Sequence, residues 1–264
     1  MSGCETIDLT INDGVARIKL NRPDALNALS RPLLEEMISA LDRLRDGGEA
    51  RVLVLSGAGR AFSSGADLSS GSSPAGGVEF DAGAVLERYY NPLMERLFSL
   101  PIPVVTGVHG AVVGAGCMLA LAGDVIVAQR STYFLQAFVN VGLVPDAGSM
   151  WLLPRLIGRT RALTMMMLGE KVGAAQALEW GMISELVEDG ALQARTDQIA
   201  AKLAKGPTLS YALIRRGVRA AFEQPLTGAL QSEREAQRQA GNSSDFREGV
   251  AAFREKRPAV FTGR

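Results

Sequence analysis

Histidine is nearly absent from this 264-residue chain: His109 is its only one. A metal site built from several imidazoles is thereby excluded. Cysteine is almost as scarce, and Cys4 and Cys117 lie far apart. Two distant cysteines make neither a disulfide framework nor a thiolate cluster, a pattern that fits a reducing compartment. Neither charge is in excess, since 28 Lys and Arg balance 28 Asp and Glu. No global field therefore attracts nucleic acid or an anionic membrane surface. No glycine turn is followed by the Gly-Lys-Ser/Thr of a phosphate-binding loop. The start lacks a basic segment followed by an apolar one, so no signal peptide is expected and a cytoplasmic location is.

One absence raises an alarm. Residues 97–123 contain no Asp, Glu, Lys or Arg, a stretch long enough to cross a bilayer. Pro101, Pro103 and five glycines interrupt it, and freed backbone groups have no partners in lipid. The stretch is expected to be a buried strand, turn and helix.

What is present describes an ordinary globular chain, 47% hydrophobic and 21% charged. Its length suits one large domain or a core with an appendage. Residues 7–11 and 15–20 flank Asn12-Asp13-Gly14, a strong hairpin signal. After a loop from Asn21 to Leu29, Ser30 is placed to cap a helix running to about Arg45. Apolar residues at 33, 34, 37, 38, 41 and 44 give that helix its face, and Gly47-Gly48 stops it. Residues 52–55, 104–108 and 125–128 are continuous apolar runs, expected as strands covered on both faces. Residues 69–77 form a low-complexity tract, expected to be a mobile loop, and a helix is expected over 82–100. From Gly158 onward strand signals cease. Helices are expected near 160–168, 174–180, 190–204, 207–222, 226–240 and 244–255, an all-helical tail that either packs on the core or joins subunits.

Two glycine-rich turns follow buried strands, and alternating strands and helices imply an α/β fold. The first turn ends in Ser63-Ser64-Gly65-Ala66-Asp67-Leu68. In the second, Gly114-Ala115-Gly116 opens straight into the helical Cys117-Met118-Leu119-Ala120-Leu121. A turn at a helix N-terminus bares N–H groups and adds the positive end of the helix dipole. It can hold an anion, or an oxygen that becomes anionic during reaction. A dinucleotide fingerprint needs a third small residue three positions after the second glycine. Leu119 stands there, which speaks against a nucleotide cofactor.

The turns are specific in combination. Ala61-Phe62-Ser63-Ser64-Gly65-Ala66-Asp67-Leu68 and His109-Gly110-Ala111-Val112-Val113-Gly114-Ala115-Gly116-Cys117 resemble the two oxyanion segments of the enoyl-CoA hydratase/isomerase (crotonase) superfamily. Asn21-Arg22-Pro23-Asp24-Ala25-Leu26-Asn27-Ala28-Leu29 resembles that family's CoA-adenine loop. The resemblance covers nearly the whole chain. It implies a ClpP/crotonase spiral of ββα units over residues 1–205 and a helical trimerisation region over 206–264, assembled as a homotrimer or a dimer of trimers. It also implies that the N–H groups of Ala66 and Ala115 bind a thioester oxygen. Arg22, Asp24, Ala25 and Leu26, with Ala66, Asp67 and Leu68, would meet the coenzyme A portion. No permanently bound cofactor and no metal are implied; the substrate arrives as a CoA thioester. The alternative reading of the turns as mere packing elements needs no ligand.

Departures from the family are as informative. Met118 and Phe138 occupy the positions of the two hydratase glutamates. Water addition needs groups that activate water and supply a proton, and neither side chain can do either. Asp146 remains, in Gly142-Leu143-Val144-Pro145-Asp146-Ala147-Gly148-Ser149-Met150, where some isomerases of the superfamily carry their carboxylate. The resemblance is closest to the ring-1,2-epoxyphenylacetyl-CoA isomerase type, through the Val-Pro-Asp turn, Trp151-Leu152-Leu153-Pro154-Arg155, Glu179-Trp180-Gly181-Met182-Ile183 and the segment from Phe246 to Gly263. Ser149-Met150 replaces the usual Gly-Gly or Gly-Thr pair. Apolar neighbours Leu143, Val144, Met150 and Trp151 are expected to raise the acid's pKa toward neutrality; capping a helix from Ala147 is the rival role.

An acyl-CoA isomerase is therefore expected, shifting an enoyl double bond or opening a ring epoxide. The alternatives are a family protein with weak hydratase activity and a decayed acyl-CoA-binding protein. Arg88, Tyr89 and Tyr90 are candidate acyl-pocket residues. Asp67 is expected to brace its turn and His109 to bond locally. Arg155 and Lys256-Arg257 are candidate phosphate contacts.

Overall fold

The computed structural model describes residues 5–69 and 81–264. The loop expected over 69–77 lies, beyond Ser69, outside the described residues.

Strands β1 (Ile7–Asn12) and β2 (Val15–Leu20) pair antiparallel, with Asn12 opposite Val15 across Asp13-Gly14. Both turn residues have positive φ, 51° and 75°, as a two-residue turn matched to strand twist requires. Helix α1 (Arg31–Gly47) starts where the Ser30 hydroxyl accepts from the Leu33 N–H, and it ends at left-handed Gly48. It buries Leu33, Leu34, Met37, Ala40, Leu41 and Leu44.

The remaining strands are β3 (Val52–Gly57), β4 (Val104–Val108), β5 (Ala111–Val113), β6 (Val125–Gln129), β7 (Tyr133–Leu135), β8 (Lys171–Gly173) and β9 (Glu185–Val187). A six-stranded sheet runs β1-β2-β3-β4-β6-β9, parallel from β2 onward, and a second sheet runs β5-β7-β8. Period-two alternation explains the continuous apolar runs. Leu53 and Leu55 face the main core, with Leu33, Leu97 and Leu119. Val52 and Val54 face the opposite side, with Val105, Ala200 and Ala204. The second layer is α8 (Leu192–Ala204).

Between β3 and β4 the chain is helical in three pieces: α2 (Ala82–Val85), a π-helical turn (Leu86–Tyr90) and α3 (Asn91–Ser99). The expected helix is present, with one wide turn that buries Tyr89 and Tyr90. Residues 97–123 are buried strand, turn and helix, with α4 (Gly114–Leu121) entirely buried. Among the described residues no helix is long and apolar enough to cross a membrane.

The expectation that strands cease after Gly158 is wrong. Strands β8 and β9 close the edges of the two sheets there. Each has three residues, too few to carry a periodic signal. The helices of that region otherwise stand near their expected places: α6 (Arg159–Leu168), α7 (Ala174–Glu179), α8, α9 (Thr208–Ala221), α10 (Leu226–Gly241) and α11 (Ser244–Glu255), and α5 (Ser149–Ile157) precedes them. Arg51 fastens the tail, donating to the carbonyls of Gly206 and Phe261 and to the Thr208 hydroxyl. Helix α10 buries none of its residues.

Candidate active site

The two glycine turns meet in space. Ser63 pairs with Val112 through Ser63 N–H to Ala111 O, 3.1 Å, and Val113 N–H to Ser63 O, 3.0 Å. A Cβ on Gly65 would lie 2.9 Å from the Val113 carbonyl oxygen, and one on Gly116 would lie 2.5 Å from the Ser63 hydroxyl. Glycine at both positions is what lets the two backbones close on each other.

That contact decides where two N–H groups point. Leu29 bonds on both sides of Ala66, donating to Gly65 O at 2.8 Å and accepting from Asp67 N–H at 3.3 Å. In such a bridge the N–H and C=O of Ala66 itself face the other way. Ala115 is the second residue of α4, whose first-turn N–H groups have no intrahelical acceptor, and no side chain caps that end. Both donors are thus held by packed backbone, without a partner among the described residues.

Around them stand apolar side chains. Met118 and Phe138 are buried, and Phe138 Cζ lies 3.7 Å from the position of a Cβ on Gly114. Neither offers an ionisable group. Behind them, Gln136 and Ser149 are buried completely. The Gln136 amide donates to Met118 Sδ (3.7 Å), and the Ser149 hydroxyl reaches Gln136 Oε1 (3.2 Å) and the Asp146 carbonyl oxygen (2.7 Å).

Asp146 opens a tight turn. The Ser149 N–H donates to the Asp146 carbonyl at 2.9 Å, while Ala147 and Gly148 have φ of 49° and 84°. A non-glycine residue in that region costs on the order of 1–2 kcal/mol, so the surroundings hold Ala147 there. The carboxylate is mostly buried, and Oδ1 has no hydrogen-bond partner among the described residues. Burial pushes its pKa from 3.8 up to about 6. The Tyr90 phenol, itself buried and raised by burial, feels the Asp146 and Asp67 charges; its hydroxyl has a long bond, 3.4 Å, to the Leu29 carbonyl.

Two expectations about Asp146 need correction. It does not cap a helix from Ala147: α5 begins at Ser149, Gly148 is its cap residue, and no side chain bonds there. Nor is its burial the work of Leu143, Val144 and Met150, which are 46%, 73% and 60% exposed. The raised pKa is present, but for a different reason: the turn tucks the carboxylate inward while these neighbours face out.

The other candidates are accounted for. Arg22 donates to Asp67 (2.8 Å) and to the Ala28 carbonyl (2.6 Å), tying the first loop to the first turn. Asp67 also accepts from Ser69, chiefly holding its pKa low through that side-chain bond; it braces its turn. Asp24 and Ala25 lie in an exposed 3-10 turn, followed by left-handed Leu26, and Leu68 is exposed. His109 bonds the Gly59 carbonyl. Arg88 stacks over Tyr89, and Arg155 over Trp151 and Phe222. Arg257 is engaged by Glu248 and Glu255.

Sequence reasoning missed Asn27, which is fully buried and left-handed. Its amide donates to the carbonyls of Ala58 and Ala61, and its Oδ1 accepts from the Arg22 N–H, so it joins the loop over residues 21–29 to the first turn. A polar residue inside the loop motif was the available signal. A cleft of about 480 Å³ lies between α9 and α10, away from the two turns. A smaller cleft, about 250 Å³, is lined by Met94, Phe98, Ala147, Gly148 and Trp151 beside the Asp146 turn. Among the described residues no group of three His, Cys, Asp or Glu is placed to hold a metal.

The two closed glycine turns and the half-buried Asp146 sit on a fold that defines a known class. Residues 10–264 match the enoyl-CoA hydratase/isomerase family, and the chain belongs to it. It is 45% identical over 259 residues to a probable enoyl-CoA hydratase of Rhodobacter capsulatus, covering 98% of each protein. It is 42% identical over 254 residues to the 1,2-epoxyphenylacetyl-CoA isomerase of Escherichia coli, covering 96% of this chain and 97% of that one. The crotonase fold is shared with the crystal structure of a Mycobacterium abscessus protein described as an enoyl-CoA hydratase/isomerase. That match has a TM-score of 0.92 at 36% identity and covers 98% of this chain and 100% of that one.

Proposed function

We propose that the protein is an isomerase of CoA thioesters that works with a single carboxylate. The observation that carries the proposal is Asp146, half-buried, whose Oδ1 is buried and unpartnered among the described residues, while Met118 and Phe138, at the hydratase positions, offer no acid. The carboxylate removes a proton from the carbon α to the thioester or, in the reverse direction, from the γ carbon of the conjugated enoyl chain. Negative charge then builds on the thioester oxygen, where the N–H groups of Ala66 and Ala115 stabilise it without reorganising. The protonated Asp146 returns the same proton at the other carbon, and the double bond has moved. A pKa of about 6 suits a group that must both take and give at neutral pH. Opening a ring epoxide on an aromatic acyl-CoA is the related reaction, supported by likeness to the Escherichia coli isomerase. Likeness to the Rhodobacter protein favours hydration instead, but that reaction needs a water-activating group, which neither Met118 nor Phe138 can supply.

Under the same reading, Arg22, Asp24, Ala25, Leu26, Asp67 and Leu68 border the coenzyme A portion, and no cofactor is permanently held. Residues 1–205 form the core, and residues 206–264 join copies into a trimer or a dimer of trimers in the cytoplasm. The exposed Ile214, Val218, Phe222, Leu226 and Leu230 support that assembly. The test is to assay wild type and Asp146→Asn on a 3-enoyl-CoA, a ring-epoxide acyl-CoA and crotonyl-CoA. Isomerisation lost in the variant is expected. Unchanged turnover in the variant, or wild-type hydration of crotonyl-CoA at enzymatic rates, would overturn the assignment. Tight acyl-CoA binding without turnover of any thioester would instead support the decayed binding protein.

A further inference from the structure

We propose that Ser149 and Gln136 are positioning residues for Asp146, coupling the helix that carries one oxyanion donor to the turn that carries the carboxylate. The inference rests on the isomerase reading of Asp146. A chain of contacts crosses the core: Met118 Sδ on α4 to the Gln136 amide, Gln136 Oε1 to the Ser149 hydroxyl, and Ser149 to the Asp146 carbonyl. Met118, Gln136 and Ser149 are all fully buried, so water cannot substitute for any link. Ser149 holds the Asp146 carbonyl through its N–H at 2.9 Å, and its single hydroxyl hydrogen is shared between that carbonyl (2.7 Å) and Gln136 Oε1 (3.2 Å).

The tie matters because of what it restrains. Ala147 and Gly148, between Asp146 and Ser149, both have positive φ, and the neighbours Val144 and Met150 are exposed. Without a restraint the turn has every reason to relax outward, taking the carboxylate toward water. Gln136 is the one side chain that meets both ends, donating toward α4 and accepting from the turn.

Steady-state kinetics across pH tests the proposal on the full chain, using whichever thioester the wild type isomerises. Ser149→Ala should lower kcat by about tenfold to a hundredfold, as displacement of a reacting group does, with KM little changed. The acid limb of the kcat/KM profile should move down from about pH 6, toward the ordinary carboxylate range, as Asp146 gains water. Tyr90 feels the charges of Asp146 and Asp67, while Glu95, Arg219 and Glu223 line the cleft on the turn's outer side; all remain in place. Ser149→Cys keeps the volume and should show a smaller shift of the same sign. Because the tie runs through one chain of contacts, Ser149→Ala combined with Gln136→Met should cost no more than the worse single change. An unmoved acid limb in Ser149→Ala and Ser149→Cys, even with a lowered Tm, would overturn the positioning role. Full turnover by Asp146→Asn would sink the isomerase reading instead, so the two failures are told apart.

Discussion

The two walls of the site are built by opposite means. One presents backbone: Ala66 and Ala115 N–H groups, fixed where Gly65 packs on Val113 and Gly116 on Ser63. The other presents a side chain, Asp146, on a turn with two residues at positive φ. The first wall is rigid because strand bridges and a buried helix end in it. The second is held by a few hydrogen bonds against its own strain. The difference teaches where the chain invests order and where it stores tension.

Breaking the second wall should have the largest effect. Asp146→Asn removes the proton acceptor and should lower kcat by about 10²–10⁴-fold, measured by isomerisation of a 3-enoyl-CoA. The same change should stabilise the fold. A native pKa of about 6 against 3.8 means the folded chain binds the proton more tightly, so ionising Asp146 works against folding. Stability therefore falls as pH rises through that window, by roughly 2–3 kcal/mol once above it. The Tm of Asp146→Asn should exceed wild type at about pH 7.5, with the gain fading near pH 4, as calorimetry can read.

The first wall breaks differently. Gly65→Ala places a Cβ 2.9 Å from the Val113 oxygen at a φ of +91° and must turn Ala66 away. Loss of one such donor predicts about a hundredfold or more in kcat, while the acid limb stays near pH 6 because Asp146 is untouched. If Gly65→Ala moved that limb, the two walls would not be separable.

The smallest effect sharpens the contrast from outside. Arg155→Ala removes a cation held 4.5 Å over Trp151 and should cost about 0.5–2 kcal/mol in thermal unfolding. Turnover should not change, because the arginine reaches neither wall.

How legible each wall was in the sequence follows from its construction. The backbone wall was legible because its requirements are local: glycines at fixed spacing after a buried strand and before a helix. The hairpin, α1 and the strands β3, β4 and β6 were legible for the same reason, each having enough residues to show a period. Strands β5, β7, β8 and β9 have three residues at most beyond noise, and their pairing is set by the tertiary structure. The π turn at Leu86–Tyr90 leaves no compositional mark. The carboxylate wall was half legible. Its acid could be matched to a family position, yet the tie from Gln136 to Ser149 spans 13 residues, and the direction of Val144 and Met150 had to be seen.

A donor made of backbone has a property that a side chain lacks. Almost any substitution at position 66 or 115 leaves the N–H in place, and only proline deletes it. On the isomerase reading, the charge-stabilising half of the site is thus nearly immune to point mutation at its own positions, while the proton-moving half changes identity in one step. Descendants of such a chain would keep their grip on a thioester while losing or exchanging acids opposite it. New reactions would then arise at positions such as Met118, Phe138 and Asp146, without the molecule ever having to reinvent its hold on the reactive oxygen.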